Sequence, residues 1–386
     1  MKILFVDQSS NLYGSERGLL VLLKNLKLIN LEAVVVCSNK SLLWNELKRL
    51  GFKLENMEFG GYSWLKRPDW QLKFLLNFMK LIQRHRPDAV VINFEGNVPL
   101  MVLGSRLMGC PVIRMLKREV RSDDSSEPGY RMHHSDRLSF LASSGVICIS
   151  GAVEKQLRHA LNVGLEFPAV TLFDPQELVS LTDEEIQIRR KSLGLKADTL
   201  VVGEFARIHP VKGIDTLIRA APLVLEKLPN VQFLVVGDVD GSALSMEYRK
   251  ELDKLIRDLG VANQFIWTGF VPDPLVVMAT CNVTTLPTRA EGLGRVLIES
   301  WAVGRPVVAS YTDGPGEVIS LSGGGLLHPV DDHVDLAHQL IQLLANPTRC
   351  AELATLGREW VGHNCNSENY RSQFLACVGK FIKRKN

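Results

Sequence analysis

The sequence predicts an α/β fold of two doubly wound domains, and three observations carry that prediction. Its 386 residues exceed the roughly 250–300 at which a single hydrophobic core stops growing. Short runs rich in Val, Ile and Leu alternate with helix-length amphipathic segments, as βαβ units on a parallel sheet require. The rhythm breaks once, over 173–194, an acidic stretch with no strand pattern. The expected division is an N-terminal domain over 1–172, a linker over 173–194 and a C-terminal domain over 195–365. A last helix over 366–386 has no strand after it and is expected to pack back on the first domain. Two such sheets facing each other leave a central cleft at the carboxyl ends of their strands, where these sheets bind ligands.

In the first domain the opening Ile3-Leu4-Phe5-Val6 is apolar on both faces and stops at Asp7, which reads as a buried strand and is too short for a signal peptide. Further strands are expected at Glu32–Cys37, Lys53–Met57, Ala89–Asn93, Val112–Leu116 and Val146–Ile149. Helical patterns lie between them at Ser15–Leu26, Leu42–Leu50, Trp70–Arg84, Val98–Met108 and Ala152–Leu161. The third of these pairs apolar Phe74, Phe78 and Leu81 with Lys73, Lys80 and Arg84, so one face buries on a sheet while its cations remain in water. The second domain repeats the scheme. Its strands are expected at Leu200–Phe205, Gln232–Val236, Phe265–Thr268, Val283–Leu286 and Pro306–Ala309. Its helices are expected at Ile214–Leu228, Met246–Leu259, Val296–Val303, Val334–Leu344 and Arg349–Val361.

Composition narrows the function. Hydrophobic residues make up 46% and charged residues 23%, which suits a globular protein and excludes a disordered one. No run approaches the roughly 18 apolar residues of a membrane span. The seven cysteines are scattered without a CxxC, which argues against a disulfide framework or zinc site and fits a reducing cytoplasm. Net charge is +3, yet residues 1–170 hold 23 Lys/Arg against 16 Asp/Glu, a balance of +7. That basic half favours an anionic acceptor or the inner face of an anionic membrane. Nucleic acid is not expected, because no aromatic-interleaved basic cluster appears.

The sharpest chemical signal is Pro287-Thr288-Arg289-Ala290-Glu291-Gly292-Leu293-Gly294-Arg295-Val296-Leu297-Ile298-Glu299. A strand ends, a glycine-flanked turn follows, and a helix begins near Gly294. Backbone amides at such a helix start attract anions, a diphosphate among them. Glu291 would stand at the lip of the turn near a sugar, and Glu299 about two turns further in, where it could accept from ribose hydroxyls. The second signal is Arg207-Ile208-His209-Pro210-Val211-Lys212-Gly213. Two cations after a buried strand can neutralise charge that grows on a leaving diphosphate.

The first run resembles the E-x7-E signature of retaining glycosyltransferase family 4, of GT-B fold, in the glycosyl transferases group 1; Thr288 replaces a serine and Leu293 a phenylalanine. The second resembles that family's G-R-L-x-x-x-K-G turn, and Gly237 and Phe270-Val271 stand in its V-G-x-G strand end and base-holding loop. The resemblance implies two Rossmann-like domains and a metal-independent transfer of sugar from a nucleotide-sugar to a glycan, lipid-linked or small-molecule acceptor, in polysaccharide or glycoconjugate biosynthesis. It implies catalytic roles for Arg207, Lys212 and Glu291. Donor contacts would come from Gly14, Arg207, Lys212, Gly237, Phe270, Val271, Gly292, Leu293, Gly294, Arg295 and Glu299. In the first half, Tyr13-Gly14-Ser15-Glu16-Arg17 resembles G-G-x-E-R. Asn93 and Lys117 stand where the family often has histidines, so the acceptor side, with Tyr13, Ser15, Asn93 and Lys117, departs from the family pattern. No cofactor or metal is expected; Asp238-Val239-Asp240, the one D-x-D, falls on the glycine turn. Two other readings compete: a nucleotide-sugar 2-epimerase and a non-catalytic nucleotide-sugar-binding subunit.

Overall fold

The computed structural model of the chain describes residues 1–8, 14–59, 67–94, 98–121, 130–196 and 198–383. Its strands are β1 (Lys2–Val6), β2 (Glu32–Cys37), β3 (Lys53–Asn56), β4 (Ala89–Ile92), β5 (Val112–Leu116), the short pair β6 (Val120–Arg121) and β7 (Tyr130–Arg131), β8 (Gly145–Cys148) and β9 (Ala169–Thr171). After these come β10 (Leu200–Phe205), β11 (Val231–Val236), β12 (Phe265–Gly269), β13 (Val283–Leu286), β14 (Val307–Ser310) and β15 (Gly325–His328). The chain divides into two units, Met1–Pro175 with Ser367–Asn386, and Gln176–Asn366.

The first unit is a seven-stranded sheet of order β3-β2-β1-β4-β5-β8-β9, parallel throughout. Ile3, Leu4, Phe5 and Val6 of β1 are wholly buried, because helices cover both faces of a doubly wound sheet. Helices α1 (Gly14–Leu28), α2 (Leu42–Arg49), α3 (Pro68–His85), α4 (Val98–Leu107), α5 (His134–Leu141) and α6 (Gly151–Leu161) do the covering. α5 and β9 were not expected: α5 is eight residues long and starts at a His pair rather than a recognisable cap, and β9 is three residues at the sheet edge.

The second unit is a six-stranded parallel sheet of order β12-β11-β10-β13-β14-β15. Its helices are α7 (Asp183–Ser192), α8 (Ile214–Lys227), α9 (Ala243–Asp258), α10 (Pro274–Met278), α11 (Arg295–Ala302), α12 (Asp313–Ser322), α13 (His333–Leu344) and α14 (Pro347–Asn364). α12 was missed because Asp313-Gly314-Pro315-Gly316 reads as a turn, yet it forms the helix's first turn. There Gly314 lies so close to Gly292 that a Cβ would strike that backbone.

Two stretches differ in role from their neighbours. Ser367–Lys383 forms α15, which belongs to the first unit; Phe374 stacks on Phe5 at 6.1 Å and on Tyr370 at 6.5 Å. The stretch 173–194, expected as a linker, instead carries α7, and from Gln176 it is part of the second unit. A full capping box starts α7: Thr182 accepts from the Glu185 amide, and the Glu185 carboxylate accepts from Thr182 N–H at 2.7 Å. Acids fill its first turn and Arg189, Arg190 and Lys191 its last, the order the helix dipole favours. Thr182→Ala is expected to destabilise the protein by about 1 kcal/mol. Urea unfolding measures it, and an unchanged midpoint would mean that the box contributes nothing.

Candidate active site

In the second unit the strand order reverses between β10 and β13, and loops leaving a parallel sheet at such a point open a crevice beyond the carboxyl ends of the strands. The expected donor residues of this unit all follow β10 to β13. Arg207 comes two residues after β10, and Lys212 closes a one-turn 3-10 helix, Pro210–Lys212. Gly213 then takes φ +66°, and a Cβ there would meet the Pro287 carbonyl, so only glycine lets this turn lie against the loop after β13. Gly237 follows β11 at φ +146°, and its amide donates to the Gly269 carbonyl at 3.0 Å. Phe270, 49% exposed, follows β12, with Val271 half-buried against the core behind it.

The loop after β13 is laced onto the β10–α8 turn. Thr288 Oγ1 donates to the Val211 carbonyl at 2.9 Å, and the Arg289 amide donates to the same carbonyl at 2.8 Å. The Arg289 guanidinium donates to the Pro210 carbonyl and pairs with Asp215 at 2.7 Å and Asp331 at 2.8 Å. Burial opposes its charge, but the two carboxylates outweigh burial and raise its pKa further. Arg289 lies inside the signature run, yet it was not singled out in the sequence because its partners stand 74 residues upstream and 42 downstream.

This lacing brings Lys212 Nζ within 2.6 Å of Glu291 Oε2, both side chains about one-fifth exposed. Burial would raise the Glu291 pKa; the Lys212 ammonium and the Gly294 and Leu293 amides outweigh it and hold the carboxyl below its usual range. The expected free amides at this helix start are therefore occupied, since they face the Glu291 carboxylate. Leu293 itself is 1% exposed, so only its backbone is offered to the loop. Gly292 is buried beneath Gly314, and Gly294 takes φ +82° at the start of α11.

The other two donor-side groups are also engaged. Arg207 pairs with Asp240 at 3.1 Å. The Ser242 hydroxyl, with Ser245 and Arg207, outweighs burial and holds Asp240 well below the usual carboxylate range. Glu299, 7% exposed, accepts from Arg295 at 3.1 Å and 3.2 Å, and Arg295 also donates to Gln176 at 3.3 Å. Glu299 thus faces a cation of its own helix, and a ribose hydroxyl would share it.

Beneath the Lys212 turn lies a group that pattern reading missed. Glu204 is wholly buried on β10, and neither carboxyl oxygen has a partner among the described residues. Register places it beside Val235 of β11 and Thr285 of β13, and the Thr285 hydroxyl is likewise unpartnered. Burial pushes the Glu204 carboxyl well up, with Lys212 pulling weakly the other way. A lone Glu in a run of Val and Phe was the available signal.

In the first unit the corresponding reversal falls between β1 and β4. α1 begins at Gly14. Asn93, 2% exposed, donates to Asp7 at 2.7 Å and to the Ser15 hydroxyl at 3.4 Å. Lys117, after β5, donates to buried Asp174 at 2.8 Å, and this pair lies so close to Gly18 of α1 that a Cβ there would touch it. Ser15, Asn93 and Lys117 therefore gather around the start of α1. Tyr13 lies outside the described residues.

Two parallel sheets of seven and six strands with ligand-type loops at the ends of their strands are the architecture of the GT-B fold. Residues 185–360 match the family of glycosyl transferases group 1. A GDP-mannose-dependent monoacylated alpha-(1-6)-phosphatidylinositol monomannoside mannosyltransferase of Corynebacterium glutamicum is 31% identical over 195 residues, 49% of each chain. A D-inositol 3-phosphate glycosyltransferase of Thermomonospora curvata is 35% identical over 198 residues, 50% of this chain and 46% of that one. The chain thus spans about half the length of the curated relatives it matches. Anabaena HepE in complex with UDP-glucose superposes with a TM-score of 0.83 at 23% identity, over 98% of this chain and 99% of that one. A glycosyltransferase from Rickettsia africae gives 0.85 at 17% identity, over 99% and 98%. Among the described residues no helix is long and apolar enough to cross a membrane.

Proposed function

We propose that this chain is a retaining, metal-independent glycosyltransferase that moves a sugar from a nucleotide-sugar donor to a glycan, lipid-linked or small-molecule acceptor, in polysaccharide or glycoconjugate biosynthesis. The observation that carries the reading is the Lys212–Glu291 pair, 2.6 Å apart, at the switch point of the second sheet. A diphosphate arriving there competes with Glu291 for Lys212 and for the Gly294 and Leu293 amides. Once it is seated, Lys212 and Arg207 meet the charge that grows as the sugar–phosphate bond breaks, where electrostatic stabilisation counts most. Glu291, released from Lys212, faces the donor sugar. Glu299 accepts from the ribose, and the loop of Phe270 and Val271 holds the base through its backbone. With Asp240 held by Arg207, cationic side chains rather than a metal serve the diphosphate.

The names of the relatives support a UDP- or GDP-sugar, since one uses GDP-mannose by its name and one neighbour was solved with UDP-glucose. The acceptor meets the first unit near Ser15, Asn93 and Lys117. The +7 balance of residues 1–170 supports an anionic acceptor, met in the cytoplasm and, when it is lipid-linked, at the inner membrane face.

Incubation with UDP-, GDP-, ADP- and TDP-sugars, with nucleotide release as the readout, tests the reading. Acceptor-dependent release and an anomerically retained product are expected. Isomerised donor without acceptor would make the chain an epimerase, and binding without turnover a non-catalytic subunit. Turnover that vanishes with chelator and returns with manganese would overturn the metal-free mechanism. Glu299→Ala is expected to raise the donor KM severalfold and leave kcat near wild type, because a ribose contact is the same in ground and transition states. A fall confined to kcat would remove Glu299 from the ribose.

A further inference from the structure

A groove of about 550 Å³ is lined by α3 on one side and by the end of the edge strand β3 on the other. Its floor is apolar: Met57 after the strand, and Phe74 and Leu81 of α3, are all at least nine-tenths buried. Trp70 forms one end, half-buried and stacked on Phe74 at 5.0 Å, so its ring is held rigid. Lys73, Asn77 and Lys80 follow at helical spacing along one rim. Arg84, at the far end, is engaged by Glu55 at 3.4 Å, and Glu55 also takes His85 at 2.7 Å. Lys73 and Lys80 are exposed, and neither has an ion-pair or hydrogen-bond partner among the described residues. Seven residues of helix separate them by roughly 10 Å. None of these groups takes part in the diphosphate or acceptor chemistry described above.

An apolar floor with a rigid indole at one end and donor groups along the rim matches a pyranose ring, which has one apolar face and a belt of hydroxyls. Two unpaired cations along the helix rim outnumber the one exposed carboxylate, Glu58, on the strand side, and the net positive rim adds attraction for a chain that carries negative charge on successive sugars. A neutral apolar helix would leave Lys73 and Lys80 unused, and an extended peptide pairing with β3 would not need the indole. We propose that the groove between β3 and α3 is a binding subsite for an anionic sugar chain, which holds a charged acceptor glycan away from the point of transfer. The word acceptor rests on the function proposed above; the binding itself does not.

The experiment titrates the full chain with an oligogalacturonate and with a neutral malto-oligosaccharide of equal length, following tryptophan fluorescence at low and high salt. The charged chain is expected to bind at least tenfold more tightly than the neutral one, with affinity falling as salt rises. Lys73→Glu combined with Lys80→Glu, both at exposed positions, should weaken it a further tenfold or more while leaving the unfolding midpoint unchanged. Nucleotide release driven by a small neutral acceptor, measured on the same variant, should stay at the wild-type rate. Its absence in both proteins would count against the glycosyltransferase reading and leave the groove standing on the titration. Equal binding of the charged and neutral chains, equal binding by variant and wild type, or retention of the protein on anionic vesicles through these lysines without any oligogalacturonate binding would each overturn the subsite.

Discussion

Lys212→Ala is expected to slow nucleotide release from the donor by about a hundredfold or more, close to 2.7 kcal/mol of lost transition-state stabilisation. Among the described residues, Lys212 both touches the Glu291 carboxylate, at 2.6 Å, and closes the turn after β10 to which the proposed function brings the diphosphate. Its loss does two things. It removes a cation from the site of developing charge, and it leaves Glu291 with only the Gly294 and Leu293 amides. The effect should fall mainly on kcat, because the charge it meets grows as the bond breaks. Glu291→Gln separates the two roles: it removes the anion that competes for Lys212, so free nucleoside diphosphate should bind at least as tightly as to wild type while turnover drops. Wild-type turnover by Lys212→Ala would refute the diphosphate role outright. Weaker diphosphate binding by Glu291→Gln would refute the competition.

Glu204→Val is expected to stabilise the protein at neutral pH by about 1–3 kcal/mol, the usual cost of leaving a buried polar group unpaired. Both carboxyl oxygens lack partners among the described residues, and valine continues the pattern of Val202 and of Val235 across the ladder. The folded-state pKa is raised well above the usual 4.5. Below 4.5 the carboxyl is protonated whether the chain is folded or not, and ionisation costs nothing. Above 4.5 the unfolded chain releases the proton while the folded one keeps it, so stability falls with rising pH until the folded group ionises as well. The gain in Glu204→Val should therefore widen from pH 4.5 upward. Glu204→Gln removes the ionisation but keeps a polar end, and should remove the pH dependence with a smaller gain. Thermal unfolding from pH 4 to pH 9 measures both. A valine variant no more stable than wild type at pH 8 would mean that Glu204 has a partner in solution.

Much of this was legible in the chain. Ile3 to Val6 are apolar without a break, and a strand buried on both faces is what such a run forms. Phe74, Phe78 and Leu81 recur at helical spacing, and α3 turns them inward. The run from Pro287 to Glu299 marked a strand, a turn and a helix start, which β13, the loop and α11 supply. What pattern reading missed was short or locally misleading. β9 is three residues long, α12 opens on Asp-Gly-Pro-Gly, and α7 lies in a segment whose acidity and missing strand pattern read as a linker, although Thr182 and Glu185 stand at capping-box spacing.

By itself the sequence determined the class of fold and the residue types at the sheet edge, because periodicity and turn chemistry act over a few residues of contiguous chain. Only the tertiary structure decided which charges meet. Lys212 and Glu291 are 79 residues apart, and Arg289 bonds to Asp215 across 74. Those distances close only because β13 lies next to β10 in the second sheet. The same ordering buries Glu204 beside Thr285. Each of these pairings follows from strand order, which no local stretch of the chain encodes.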